Sequence, residues 1–126
     1  LPATIMKVVN KQNPIEVWGD GKDIRDFIHV DDFVRACLMV MDKVDKYDIF
    51  NVGSGVGKSV DDILFNCMEI ENYKTDVTYN SDKPSMIPIR LLDVSKIKNK
   101  VGFETKISLK EGLRQTIKWY KDNYNE

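Results

Sequence analysis

Histidine and cysteine are nearly missing from this sequence. His29 stands alone, and the only thiols are Cys37 and Cys67. These groups are too few and too widely spaced for a structural zinc site. Each thiol falls in a helical pattern and reads as a small buried hydrophobe. No apolar run approaches the ~20 residues of a membrane span, and no signal peptide is expected. Neither sign of charge dominates. Nineteen basic residues against twenty acidic ones leave a net charge of −1. That argues against nucleic acid or a membrane surface as partner, while a local basic pocket remains open. An initiator methionine is also missing: Leu1 opens directly into helical pattern, as expected of a processed chain or a piece of something larger. The 126 residues, 42 % of them apolar, suffice for one domain with a real core.

The apolar spacing gives an interleaved α/β pattern with about five helices and four or five short strands, without repeat or linker. A helix is expected from Pro2 to about Gln12, then a strand over Ile15–Trp18 and a turn at Gly19–Gly21. Phe27–Val30 reads as a second extended run. Asp31 or Asp32 caps a helix whose wide apolar arc (Phe33, Val34, Cys37, Leu38, Val40, Met41) predicts deep burial. Asp48–Val52 reads as a buried, parallel strand. Ser59 opens a helix, Thr75–Tyr79 alternates like a strand, and residues 80–88 form a turn-rich loop. Asp93 caps a short helix ended by Gly102. A capping box, Ser108 with Glu111, starts the last helix, which carries Leu109, Leu113, Ile117, Tyr120 and Tyr124.

Two motifs suggest nucleotide chemistry and fail on spacing. NVGSGVGKS, Asn51 to Ser59, resembles a phosphate-binding loop. The required G-x-x-x-x-G-K-[ST] is one residue short when counted from Gly53, and G-x-G-x-x-G fails at Lys58. Glycines also permit a tight strand-to-helix turn, and Ser59 is a good N-cap with Asp62 at the third helical position. Tyr79 and Lys83 match Y-x-x-x-K. That pair works from one helical face, whereas Lys83 precedes Pro84 in turn-forming sequence.

Three stretches together have a family likeness: VWGDGKDIRDFIHVDDFVRA (Val17–Ala36), FNVGSGVGKSVDDI (Phe50–Ile63) and KPSMIPIRLLDVSKIKNKVGF (Lys83–Phe103), which continues into SLKEGLRQTIKWYKDN. In order and spacing they resemble the C-terminal half of the extended short-chain dehydrogenases, the NAD-dependent nucleotide-sugar epimerases, dehydratases and reductases. Within that family the GDP-L-fucose synthase group is most similar. The resemblance implies that residues 1–126 form one substrate-binding region of a Rossmann-type enzyme. The NAD(P) domain, with its glycine fingerprint and Tyr/Lys pair, is then absent from this chain. It also implies a nucleoside-diphosphate sugar as substrate, NAD or NADP as cofactor of the full-length enzyme, a full-length homodimer and a cytoplasmic location. The fragment alone is expected to be inactive and to self-associate through the unpaired edges of the Asp48–Val52 strand.

Four residues are candidate substrate contacts. A guanidinium grips a diphosphate bidentately, and Arg25 matches the family arginine that does so; its alternative is an ion pair with a nearby Asp. Trp18, ending a strand at a glycine turn, matches a substrate-contacting position or else belongs to the core. Lys7 matches a basic position on the helix lining the same pocket, or is a solvated charge. Arg90 matches a basic residue in the segment closing over the nucleotide. The sequence reads Lys83-Pro84-Ser85-Met86 where the fucose synthase pattern is KPDG, which removes an Asp contact at Ser85. No catalytic or metal-ligating residue is assigned, and His29 is expected to pack or hydrogen-bond at a strand end. Two other readings stay open: a free-standing P-loop-like nucleotide binder and a non-catalytic interaction module.

Overall fold

The computed structural model describes residues 1–83 and 87–124. In chain order these form α1 (Pro2–Val9), β1 (Ile15–Trp18), β2 (Ile24–Asp26), α2 (Val30–Lys43), β3 (Gly57–Ser59), α3 (Val60–Ile70), β4 (Val77–Asn80), β5 (Ile89–Arg90), α4 (Ser95–Val101) and α5 (Leu109–Tyr124). The α/β class and the five helices agree with the sequence pattern. Two small sheets organise the strands: β1 and β4 pair in parallel, and β2 lies between antiparallel β3 and parallel β5.

The main core is built from one stripe of each contributing element. Ile5 and Val8 of α1, Ile15 and Val17 of β1, Ile63, Leu64, Cys67 and Met68 of α3, and Leu113 and Ile117 of α5 meet in one buried cluster. The helical spacings put these residues on one face, and the alternation along β1 sends Ile15 and Val17 inward. A second cluster joins Ala36 of α2 to Ile97 and Val101 of α4 and to Phe103. Gly102, at φ 74°, ends α4 in the left-handed conformation. Burial pushes the Cys67 thiol up to about 11, so this cysteine is an inert core residue.

Several expectations change. The first helix stops at Val9, and Lys11 takes a left-handed conformation (φ 51°). The extended run lies three residues earlier than Phe27–Val30, because β2 is placed by pairing with β3 and β5 rather than by its apolar content. Neither Asp31 nor Asp32 caps α2. His29 does so, its Nδ1 accepting from the Asp31 backbone N–H at 3.3 Å. Asp32 points inward, 2 % exposed, where it accepts from Arg35 and from the backbone N–H groups of Lys106 and Ile107.

The apolar arc of α2 is not deeply buried: Leu38 is 60 % and Met41 78 % exposed. Cys37 on the same helix is exposed as well. The second cluster, which joins α2 to α4, Phe103 and the Phe50–Val52 segment, covers one side of a wide arc. Asp48–Val52 forms no ladder for the same reason, since no described strand lies beside it. Side chains hold it instead. Asp48 accepts from Lys100 at 3.0 Å and also from Lys96, whose ammonium lies over the Phe50 ring. Two caps are half as predicted. Asp93 accepts from the Ser95 N–H from just outside α4. Ser108 accepts from the Glu111 N–H, while the Glu111 carboxylate turns to Arg114 and Gln115.

Candidate phosphate-binding site

The glycine-rich turn already holds an anion, and that anion is a side chain. The Asp26 carboxylate accepts from the Ser54 N–H (2.8 Å), the Ser54 hydroxyl (2.5 Å) and the Gly55 N–H (2.9 Å). Gly55 has φ +70°, and a Cβ at Gly53 would lie 2.7 Å from the Asp26 carboxylate. Backbone N–H groups curled in this way form an anion nest. A phosphate would have to displace a carboxylate from it. After the nest the chain does not turn directly into a helix. Gly57–Ser59 first pairs with β2, and only then does Ser59 cap α3 in a full capping box with Asp62 (2.9 Å in both directions).

The three-stranded sheet carries a row of cations. Lys58 of β3 stands directly opposite Arg25 of β2, which stands directly opposite Arg90 of β5. Residues in register across neighbouring strands share a face. Successive residues along a strand face opposite ways, so Asp26 and the glycine nest lie on the other side from Arg25. Arg25 donates from Nη1 to the carbonyls of Ile24 (2.8 Å) and Ile87 (2.7 Å), and from Nη2 to Asp23 (2.9 Å). The ion pair with a nearby aspartate is therefore present. It uses part of a guanidinium with five N–H donors.

Trp18 ends β1 with 62 % of its surface exposed, so it is not a core residue. Its indole N–H donates to Glu16 at 3.2 Å, and the Lys83 ammonium lies 5.5 Å from the ring centroid. A cleft of about 380 Å³ opens beside it, lined by Gly19, Asp20, Asp23, Lys83 and Pro88 among others. Its walls thus include the Asp partner of Arg25 and the Lys above Trp18. Lys7 donates at 2.6 Å to the Glu16 carbonyl, tying α1 to β1. It is engaged by backbone rather than held toward the Arg25 row. Ser85 and Met86, where the sequence leaves the fucose synthase pattern, lie with Pro84 outside the described residues.

The described residues do not fit a dinucleotide. The glycine nest is filled by Asp26. Tyr79 lies on β4 and Lys83 in the turn after it, so the two share no helical face. The Tyr79 hydroxyl donates to Asp61 (3.1 Å), and burial together with that carboxylate raises its pKa. A catalytic tyrosine needs the opposite shift. Reading the sequence missed Asp26, Lys58 and β5 as parts of this region. No sequence signal pointed to Asp26, whose partners Ser54 and Gly55 lie 28 and 29 residues away.

Known proteins resemble this chain in sequence and fold. Residues 1–53 match the model of the NAD dependent epimerase/dehydratase family. GDP-L-fucose synthase 1 of Arabidopsis thaliana is 33 % identical over 91 % of this chain and 35 % of its own length. GDP-L-fucose synthase of Escherichia coli (strain K12) is 31 % identical over 86 % of this chain and 36 % of its own. A crystal structure of UDP-glucose 4-epimerase from Thermotoga maritima with UDP-glucose superposes with a TM-score of 0.85. It is 32 % identical and covers 95 % of this chain and 38 % of that one. The chain thus spans about a third of the length of the curated relatives it matches.

Proposed function

From its match to the NAD dependent epimerase/dehydratase family over residues 1–53 and its likeness to nucleotide-sugar enzymes over about nine-tenths of its length, we infer that this chain is the substrate-holding part of a nucleotide-sugar enzyme. The reaction class is epimerisation, dehydration or reduction of a nucleoside-diphosphate sugar with NAD or NADP. The groups that carry proton and hydride belong to a separate Rossmann domain, and residues 1–126 act as one substrate-binding region that is inactive alone. The observation that carries this reading is the register that sets Arg25 directly beside Arg90. Two guanidiniums in that position repel unless an anion lies between them, and a diphosphate is an anion of matching bidentate geometry. Trp18, exposed at the neighbouring cleft, offers a flat face for a base or sugar. Guanine is the base favoured by the likeness to GDP-L-fucose synthases of two organisms. Lys7 supports the cleft indirectly, by fixing the strand that ends in Trp18.

Calorimetric titration of the chain with GDP, UDP, CDP and dTDP sugars tests this. The expected result is weak binding that fades with added salt, strongest for the GDP sugar, and at least tenfold weaker in Arg25→Ala. Absence of binding to all four, together with an Arg25→Ala full-length enzyme of unchanged activity, would overturn it. A free-standing P-loop reading requires Mg²⁺-dependent ATP or GTP binding lost in Lys58→Ala. The Asp26-filled nest argues against it.

A further inference from the structure

Lys58 failed as a P-loop lysine by spacing, yet the fold does not leave it idle. It belongs to the middle of β3 and stands opposite Arg25, so the three strands present Lys58, Arg25 and Arg90 in one row. With strands spaced 4.7–4.9 Å apart, the row spans roughly 10 Å. Long, flexible Lys and Arg side chains can converge from that span on two linked phosphates. Like charges directly opposite each other destabilise a sheet, and the ion-pair inventory does not relieve this row. Asp23 pairs with Arg25. Among the described residues Lys58 and Arg90 have no carboxylate within ion-pair distance, whereas Lys96, Lys98, Lys100, Lys110, Lys118 and Lys121 each have one. Asp62 is near enough to feel the Lys58 charge, but its carboxylate is occupied by the Ser59 N–H.

We propose that Lys58 is a third phosphate ligand, delivered from a strand on the face opposite the glycine nest, and that it joins Arg25 and Arg90 on the diphosphate of the substrate. This rests on the reading of Arg25 and Arg90 given above. Asp26 contributes by holding the Ser54–Gly55 turn, which fixes where β3 begins. The ammonium acts as a movable point charge beside two planar guanidiniums, and so follows the phosphate oxygens without imposing bidentate geometry.

Titration of the wild-type chain and of Lys58→Gln, Lys58→Arg and Arg25→Gln with GDP and with inorganic pyrophosphate separates the possibilities. Lys58→Gln is expected to weaken both ligands about tenfold or more, the size of a lost charge-assisted hydrogen bond. Lys58→Arg should restore most of the affinity. A second measurement needs no variant: acetylation of each lysine in the wild-type chain, read by mass spectrometry, with and without pyrophosphate. Lys58 should be protected, while Lys118 on α5 should not. Wild-type affinity in Lys58→Gln combined with loss in Arg25→Gln would overturn the role of Lys58 and leave the arginine grip standing. Equal acetylation of Lys58 in both conditions, with the ligand demonstrably bound, would do the same. No binding of either ligand to the wild-type chain would overturn both.

Discussion

Asp32 is a carboxylate taken out of water and fully accounted for. Burial alone would raise its pKa. The Ile107 N–H, the Arg35 guanidinium and the Lys106 N–H outweigh burial and hold it below the ordinary value. A depressed folded-state pKa adds stability that is fully present above the unfolded value, near 3.9, and is lost as pH falls through the lower folded value. Unfolding followed from pH 7 down to pH 2 should therefore show stability falling off below about pH 4. Asp32→Asn should cost about 3 kcal/mol at pH 7, because it leaves Arg35 and two N–H groups short of their charged acceptor, and should flatten the acid limb. An unchanged acid limb in the variant would show that other carboxylates set it. This clamp was not legible in the sequence. An Asp at the start of a helix reads as a cap, and the segment it grips lies some seventy positions away.

The glycine-rich element shows what spacing can and cannot tell. Counting residues argued against the P-loop, and Ser59 as a cap was readable because its partner Asp62 is local. That the turn would be filled by Asp26 was not readable, because the contact is made 28 and 29 residues away. Asp26→Asn would present an amide donor to a ring of donors. It is expected to cost about 1–3 kcal/mol and to speed hydrogen exchange at the Ser54 and Gly55 amides, with α3 left protected. Equal exchange in both proteins would count against the nest as the anchor of this loop. Short strands were hard to read in general. Ile15–Trp18 carries its own alternation, so the predicted and observed strands coincide. Strands β3 and β5 have three and two residues, too few for any period, and exist because β2 offers them an edge. Phe27–Val30 has strand-like composition, but among the described residues no strand pairs with it, and Val30 already opens α2. Of the four candidate contacts, two, Lys7 and Trp18, could be placed on elements from the sequence, and the mutual register of Arg25 and Arg90 could not be read at all.

For the molecule as a whole, the second cluster is the weak side. Phe33, Val34, Leu38 and Met41 of α2 and Ile49 beyond it are all exposed large hydrophobics. Among the described residues Asp48–Val52 has no strand beside it. Such a surface favours association, and an extended segment with open backbone groups can recruit a second chain. Sedimentation of the chain is expected to show mass rising with concentration, and Met41→Glu with Leu38→Lys should reduce it. Clean monomeric behaviour of the unaltered chain at high concentration would refute this. The deep burial expected for α2 came from the width of its apolar arc. Amphipathic width reports how much surface a helix wants covered, and not what is present to cover it.

Arg25 and Asp26 are neighbours in sequence, yet they serve opposite sides of one sheet. Their assignment depends on parity alone: odd positions of β2 look one way, even positions the other. Inserting a single residue ahead of Ile24 would preserve every side chain and invert the polarity of the sheet. Ile24 would then stand between Lys58 and Arg90, the carboxylate would leave the glycine turn, and the guanidinium would meet its N–H groups. A frame one residue wide thus separates a surface that attracts anions from one that has already satisfied itself with one.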